Sequence, residues 1–185
     1  MNDDAKSEPR YGFSYNLADF MLSMVKVTAV LVVVLMLLFR YAVVDGDSMV
    51  PTFENRDRVF AANIFYEPQR LDVVAVFEVN TLHKPLIKRV IGIAGDKIVV
   101  DAAAGKVYVN DIALEDAYVS GPTNEAGSVS YPVIVPEGYI FVMGDNRNYS
   151  YDSRYTEIGM IKLSAVIGKV VLRFYPVDKV TSQFS

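Results

Sequence analysis

The run VKVTAVLVVVLMLLFRYAVVDGDSMVPT, residues 25–52, holds the point at which the chain changes architecture. Residues 27–39 are thirteen positions without a charge, and their Val and Leu leave no polar face, so a helix here needs apolar surroundings on every side. At 1.5 Å per residue those positions reach only ~20 Å of the ~30 Å hydrocarbon core of a bilayer. Extending the span back to Phe20 and forward to Val44 makes it sufficient, with Lys26 and Arg40 snorkelling toward opposite interfaces. The sequence therefore divides into a polar tail over 1–16, a transmembrane anchor over 17–44 and a β-rich domain over 45–185. Arg40, Tyr41, Ala42, Val43 and Val44 offer no good small-x-small cleavage site, which favours a permanent anchor over a removable leader. Lys6, Arg10 and Lys26 lean toward a cytoplasmic N-terminus, a bias that Arg40 weakens.

Beyond the anchor, Gly and Pro punctuation and short β-branched runs replace the helical block. Strands are expected over 58–62, 71–79, 86–93, 97–100, 106–109, 139–143 and 166–174. Ala104-Gly105 reads as a hairpin turn and residues 120–131, rich in Gly, Pro, Ser and Asn, as a loop. The pattern is mostly β, and about 140 residues suffice for one barrel-like or sandwich-like domain with its own core. Phe53, Phe60, Phe65 and Tyr66 read as core packing ahead of pocket walls or lipid contacts.

Composition narrows the chemistry. The 185 residues are 52% hydrophobic, which excludes disorder throughout, and the net charge of −4 provides no positive field for nucleic acid. Without cysteine there are no thiolate nucleophiles, disulfides or thiolate metal sites. With His83 as the lone histidine, a multi-histidine metal site cannot form, and its place beside Lys84 and Pro85 suits a surface loop better than a triad. No metal or organic cofactor is called for, and catalysis would need a base other than histidine.

Three segments carry candidate chemistry. Gly46-Asp47-Ser48-Met49-Val50-Pro51-Thr52 follows directly on the anchor, yet serine in a turn is commonplace. Residues 85–96, PLIKRVIGIAGD, set two cations in an apolar strand pattern. Alternation puts Lys88 on a face with Leu86 and Val90, and Arg89 on the other with Ile87 and Ile91, so at most one cation needs to be buried. Taken alone, that segment favours Lys88 on a solvated strand edge. Residues 144–154, GDNRNYSYDSR, alternate acids and arginines, as a solvated loop or as a cross-linked scaffold.

In order and content the three resemble the bacterial type I signal peptidases, the leader peptidases: an anchor, then Gly-x-Ser-Met-x-Pro-Thr, Lys-Arg-Val-x-Gly-x-x-Gly-Asp and Gly-Asp-Asn-Arg-x-x-Ser-x-Asp-Ser-Arg. The resemblance implies a membrane-bound serine endopeptidase that removes signal peptides from exported preproteins after small residues in an Ala-x-Ala pattern. It implies Ser48 as nucleophile, Lys88 as general base and Ser150 as the hydroxyl that orients the lysine amine. Asp145, Asp152 and Arg154 match residues that hold the site together, with Arg89 and Arg147 as further partners for the acids, and Met49 matches a residue of the substrate-side wall. Some family members carry a serine two positions before the nucleophile as a second oxyanion donor; Gly46 stands there in this chain and leaves that donor open. The implied setting is the cell membrane, single-pass, with the catalytic domain on the outer face.

A serine and lysine pair works near neutrality only if the lysine, ordinarily at a pKa of ~10.4, is desolvated. A carboxylate beside the amine would reverse that shift, so Asp145 and Asp152 are expected to face the arginines and leave Lys88 to the neutral Ser150. Two other readings compete. A soluble, self-cleaving Ser/Lys protease of the repressor type lacks the anchor seen here, and a membrane-anchored binding module would keep the motifs as structure without releasing a leader peptide.

Overall fold

The computed structural model describes residues 13–77, 85–115 and 117–184, with the side chains of 13–16 left aside. It divides after Leu38 into two units. The first holds one helix, α1 (Phe13–Leu38), whose stretch Leu17–Leu38 has a mean hydropathy of 2.6. Its 22 residues reach ~33 Å and are long and apolar enough to cross a bilayer.

The apolar span begins at Leu17, as expected for the anchor, but the helix differs from the expected bounds elsewhere. It starts inside the polar tail, whose first twelve residues lie outside the described ones, and it stops at Leu38 instead of continuing to Val44. Phe39–Val43 form strand β1 of the second unit, antiparallel to β2 (Arg58–Ala62), with Phe39 opposite Ala62 and Val43 opposite Arg58. Local hydropathy does not register that pairing, because the partner strand lies beyond the window that defines an apolar span. Arg40 thus sits on a strand, and Lys26 falls twelve residues before the helix end, near the middle of the apolar stretch.

The second unit holds the remaining strands: β3 (Val73–Val76), β4 (Leu86–Gly92), β5 (Lys97–Asp101), β6 (Lys106–Val109), β7 (Ile112–Ala113), β8 (Val133–Ile134), β9 (Tyr139–Met143), β10 (Ile161–Lys162) and β11 (Val166–Tyr175). They build an antiparallel seven-stranded sheet in the order β1-β2-β11-β3-β4-β9-β10 and a four-stranded sheet in the order β7-β6-β5-β8. Register irregularities along β11 and between β4 and β9 bend the larger sheet. Ile98, Val100, Val107 and Val109 of the smaller sheet share a core with Ile91, Phe141 and Met143 of the larger, a sandwich-like contact. The unit is mostly β, as the residue pattern implied.

Strands at 58–62, 106–109 and 139–143 fall where expected. The 71–79 run is cut to Val73–Val76, since Leu71 turns into the left-handed region at φ +72; Glu78 and Val79, like His83, lie outside the described residues. The Ala104-Gly105 turn joins β5 to β6, with Gly105 at φ +68 where a side chain would be strained. Of the four aromatic residues, Phe53 is fully buried, while Phe60 is half-buried and stacks on Phe174 at 4.6 Å. Tyr66 donates its hydroxyl to Asp72. Phe65 departs from the core reading: at φ +49 it is turned fully outward.

Candidate active site

Ser48 lies in the connection between β1 and β2. The base of that loop is closed by backbone bonds from Val44 N–H to Asp57 O (2.8 Å) and from Arg56 N–H to Val44 O (2.9 Å). Met49 and Phe53 plug it into a core with Val44, Val59, Val73 and Val170. Two buried side chains just after Ser48 hold its backbone down while its hydroxyl stays at the surface of a cavity.

Lys88 comes from β4, an interior strand between β3 and β9. Alternation operates as expected for its apolar neighbours: Leu86 and Val90 join one core with Val74, Val76, Ile140 and Val142, while Ile87 and Ile91 belong to two others. The solvated-edge reading of this strand is overturned, since Lys88 is 3% and Arg89 1% exposed. Both cations are buried because β4 is flanked by strands on both sides and the partner of Arg89 arrives from a segment far along the chain.

Lys88 Nζ lies 2.6 Å from Ser48 Oγ, forty residues apart in sequence. Burial pushes the Lys88 ammonium down to about 8; the charges of Asp152 and Asp145 pull it up again, and Arg154 adds to the lowering. Burial prevails because both carboxylates have cationic partners. Arg89 donates Nε and Nη2 to the two oxygens of Asp145 at 2.8 and 2.7 Å, and Arg154 donates Nε and Nη2 to those of Asp152 at 2.8 and 2.9 Å.

Each guanidinium is held elsewhere too. Arg89 donates to Leu71 O at 2.8 Å and lies 4.0 Å from the centre of the Tyr118 ring. Arg154 donates to the carbonyls of Glu125, Arg147 and Ser150. The buried Arg147 donates Nη1 to Thr123 Oγ1 at 3.1 Å.

Ser150 is buried in the site, but its hydroxyl donates to Asp152 Oδ2 at 2.7 Å, and among the described residues no hydrogen bond joins it to Lys88. The single hydroxyl proton thus goes to a charge-assisted bond with the carboxylate, and the oxygen keeps its lone pairs as acceptors. Gly144 takes part through space. A Cβ there would collide with Ser150 Oγ and Ser48 O, so only a glycine lets the two segments meet.

Thr52, Thr123, Tyr118 and Asn146 complete the scaffold without having stood out in the sequence. Thr52 donates its hydroxyl to Asp145. Asn146 donates its backbone N–H to Ser48 O at 3.0 Å and its side-chain amide to Asp47 O at 3.1 Å. The signal for Thr52 and Asn146 was their place inside two quoted segments, though residue type alone assigned them no task. A cavity of about 610 Å³ opens beside Ser48 and Lys88. Met49, Ala61, Ala75, Leu86 and Ile87 line it together with residues 40–45, which run from β1 into the start of the loop.

The arrangement is an amine with a lowered pKa touching a hydroxyl beside a largely apolar cavity, a pairing of the kind that suits a nucleophile and a base. Residues 17–175 match the family model described as signal peptidase, peptidase S26. The chain is 36% identical over 146 residues to a probable signal peptidase I-2 of Synechocystis sp., covering 74% of this chain and 63% of that protein. It is 36% identical over 166 residues to signal peptidase I S of Bacillus subtilis, covering 81% and 87%. It is also 34% identical over 167 residues to thylakoidal processing peptidase 1 of Arabidopsis thaliana, covering 78% of this chain but 46% of that protein. With a family match that runs through α1, the Ser48 loop, β4 and the 144–154 scaffold, this chain belongs to the signal peptidase family, peptidase S26.

Proposed function

We propose that the chain is a membrane-anchored serine endopeptidase that removes signal peptides from exported preproteins with Ser48 as nucleophile and Lys88 as general base. The observation that carries this reading is the 2.6 Å contact between a buried amine and the Ser48 hydroxyl. Neutral Lys88 accepts the Ser48 proton as Oγ bonds to the scissile carbonyl carbon, and the carbonyl oxygen becomes an oxyanion. The resulting ammonium returns the proton to the leaving amine as the C–N bond breaks. Water, deprotonated by the same amine, then hydrolyses the ester.

Substrate geometry follows from topology. Among the described residues β1 is an edge strand of the larger sheet, the kind of position at which an extended peptide can add as a further strand. Such a peptide runs along the cavity, where Ala61 and Ala75 stand in the wall and Met49 narrows it, which suits small side chains next to the scissile bond. α1 spans the bilayer with its N-terminus in the cytoplasm. Ser48 follows Leu38 by ten residues, which keeps the nucleophile near the outer membrane surface, where the cleavage site of a preprotein emerges.

The test is the N-terminal sequence of the product after incubation of the full chain in detergent with a model preprotein carrying an Ala-x-Ala site. Cleavage after that site, lost in Ser48→Ala and Lys88→Met, is the expected result. Binding without release of a leader peptide, or cleavage that survives either substitution, overturns the reading.

A further inference from the structure

A serine peptidase needs donors aimed at the oxyanion, and Gly46 offers no side chain for that task. The donor that remains next to the nucleophile is its own backbone N–H. Among the described residues that N–H has no hydrogen-bond partner, so it is available. Its direction is set by the Asp47–Ser48 peptide. A trans peptide is planar, with the N–H pointing opposite to the C=O, so whatever holds Asp47 O aims the N–H of Ser48.

Asp47 O accepts the side-chain amide of Asn146 at 3.1 Å, and a longer backbone bond from Val50 N–H at 3.2 Å. The next carbonyl, Ser48 O, accepts the backbone N–H of the same Asn146 at 3.0 Å. One residue therefore grips both peptide planes that flank the nucleophile's Cα. Asn146 itself leads into the short helical turn Arg147–Tyr149, beside Asp145, whose carboxylate is locked to Arg89.

We infer that Asn146 is a positioning residue for acyl transfer: by holding the Asp47 carbonyl it orients the Ser48 N–H as an oxyanion donor. This rests on Ser48 as the nucleophile. Among the described residues no hydrogen bond joins Asn146 to Lys88. It acts on the transition state through the peptide it holds, and the ground-state peptide gains little from it. Asn146→Ala removes the side-chain donor and keeps the backbone bond. Asn146→Asp keeps the shape and turns the donor into a carboxylate oxygen facing a carbonyl oxygen.

The experiment compares wild type, Asn146→Ala, Asn146→Asp and Ser48→Ala, as full chains in detergent, on a peptide with an Ala-x-Ala site. It also measures binding of the matching peptide aldehyde, which forms a tetrahedral adduct with a serine hydroxyl. In both Asn146 variants kcat is expected to fall about tenfold to a hundredfold, below the ~10²–10³ lost when a donor is removed outright, with KM within about twofold. Aldehyde affinity should fall in parallel, while in Asn146→Ala the pH at half-maximal activity and the unfolding midpoint stay at the wild-type values. Unchanged kcat and aldehyde affinity overturn the inference, as does a loss of activity that merely follows a lowered unfolding midpoint. In either case an inactive Ser48→Ala leaves the nucleophile assignment standing, whereas an active Ser48→Ala removes the reading on which the inference rests.

Discussion

Lys88 and Arg89 are neighbours on one strand and both are buried, yet the molecule treats them in opposite ways. Arg89 meets a carboxylate through two parallel hydrogen bonds, a third acceptor at Leu71 O and the face of Tyr118. Lys88 meets a hydroxyl. The first region is a satisfied scaffold in which charge is a fastener. The second leaves a charge underserved, so that its proton is easily lost. The Lys88 pKa falls because the amine is buried while the nearby carboxylates are already committed to other cations.

The sharpest way to break this contrast is to remove the underserved charge. Lys88→Met should lower cleavage by at least about a thousandfold, read by product release, because the Ser48 hydroxyl loses its base. The same change should raise stability. A lysine whose folded pKa of about 8 lies below its ordinary value of 10.5 binds its proton less well in the folded chain. It therefore costs stability fully below pH 8, by about 3 kcal/mol, and the cost fades as pH rises from 8 to 10.5. Denaturant titration of Lys88→Met at pH 7 and pH 10 should show the gain at the lower pH and little of it at the higher.

Next comes the fastener. Arg154→Met strands the buried Asp152 carboxylate beside Lys88 and should cost about 3–5 kcal/mol in unfolding free energy. In whatever fraction stays folded, the pH at which kcat/KM reaches half its maximum should move upward from about 8, since an unpaired carboxylate favours the ammonium. An unmoved pH limb would show that the arginine does not shield the amine. Asp152→Asn should move that limb the other way.

A smaller effect is expected where the two regions touch. Gly144→Ala forces a methyl group between Ser48 O and Ser150 Oγ and should destabilise by about 1–3 kcal/mol, with a loss of kcat that exceeds any change in KM. Least of all, Lys97→Ala breaks an ion pair with Asp111 at 2.5 Å on the solvent-exposed surface of the smaller sheet. It should change stability by less than about 1 kcal/mol and leave cleavage as in the wild type, the control for charges that water already serves.

The chain announced its architecture unevenly. Strands over 58–62, 106–109 and 139–143 were legible because β-branched runs met turn residues at both ends. β7, β8 and β10 have two residues each, too few for a period of two to register. β1 was hidden inside an apolar run because hydropathy does not distinguish the end of a spanning helix from a strand that finds its partner in β2. At the site, Ser48 and Lys88 stood out through their ordered motifs. The pairing of Asp145 with Arg89 and of Asp152 with Arg154 had to await the fold, as did the turn of Ser150 toward Asp152 and the grip of Asn146 on the Ser48 loop.

Residue types and their order were enough to establish an apolar helix and a β-rich remainder, and the resemblance of three ordered motifs to a family singled out a serine and a lysine. Those properties are local, since hydropathy, turn chemistry and side-chain reactivity travel with each residue. Only the tertiary structure decided that the lysine is dry, that its acidic neighbours are occupied by arginines, and that its amine reaches the serine forty residues upstream. Desolvation and pairing depend on which distant segments share a volume, and that is settled when the sheets close over them.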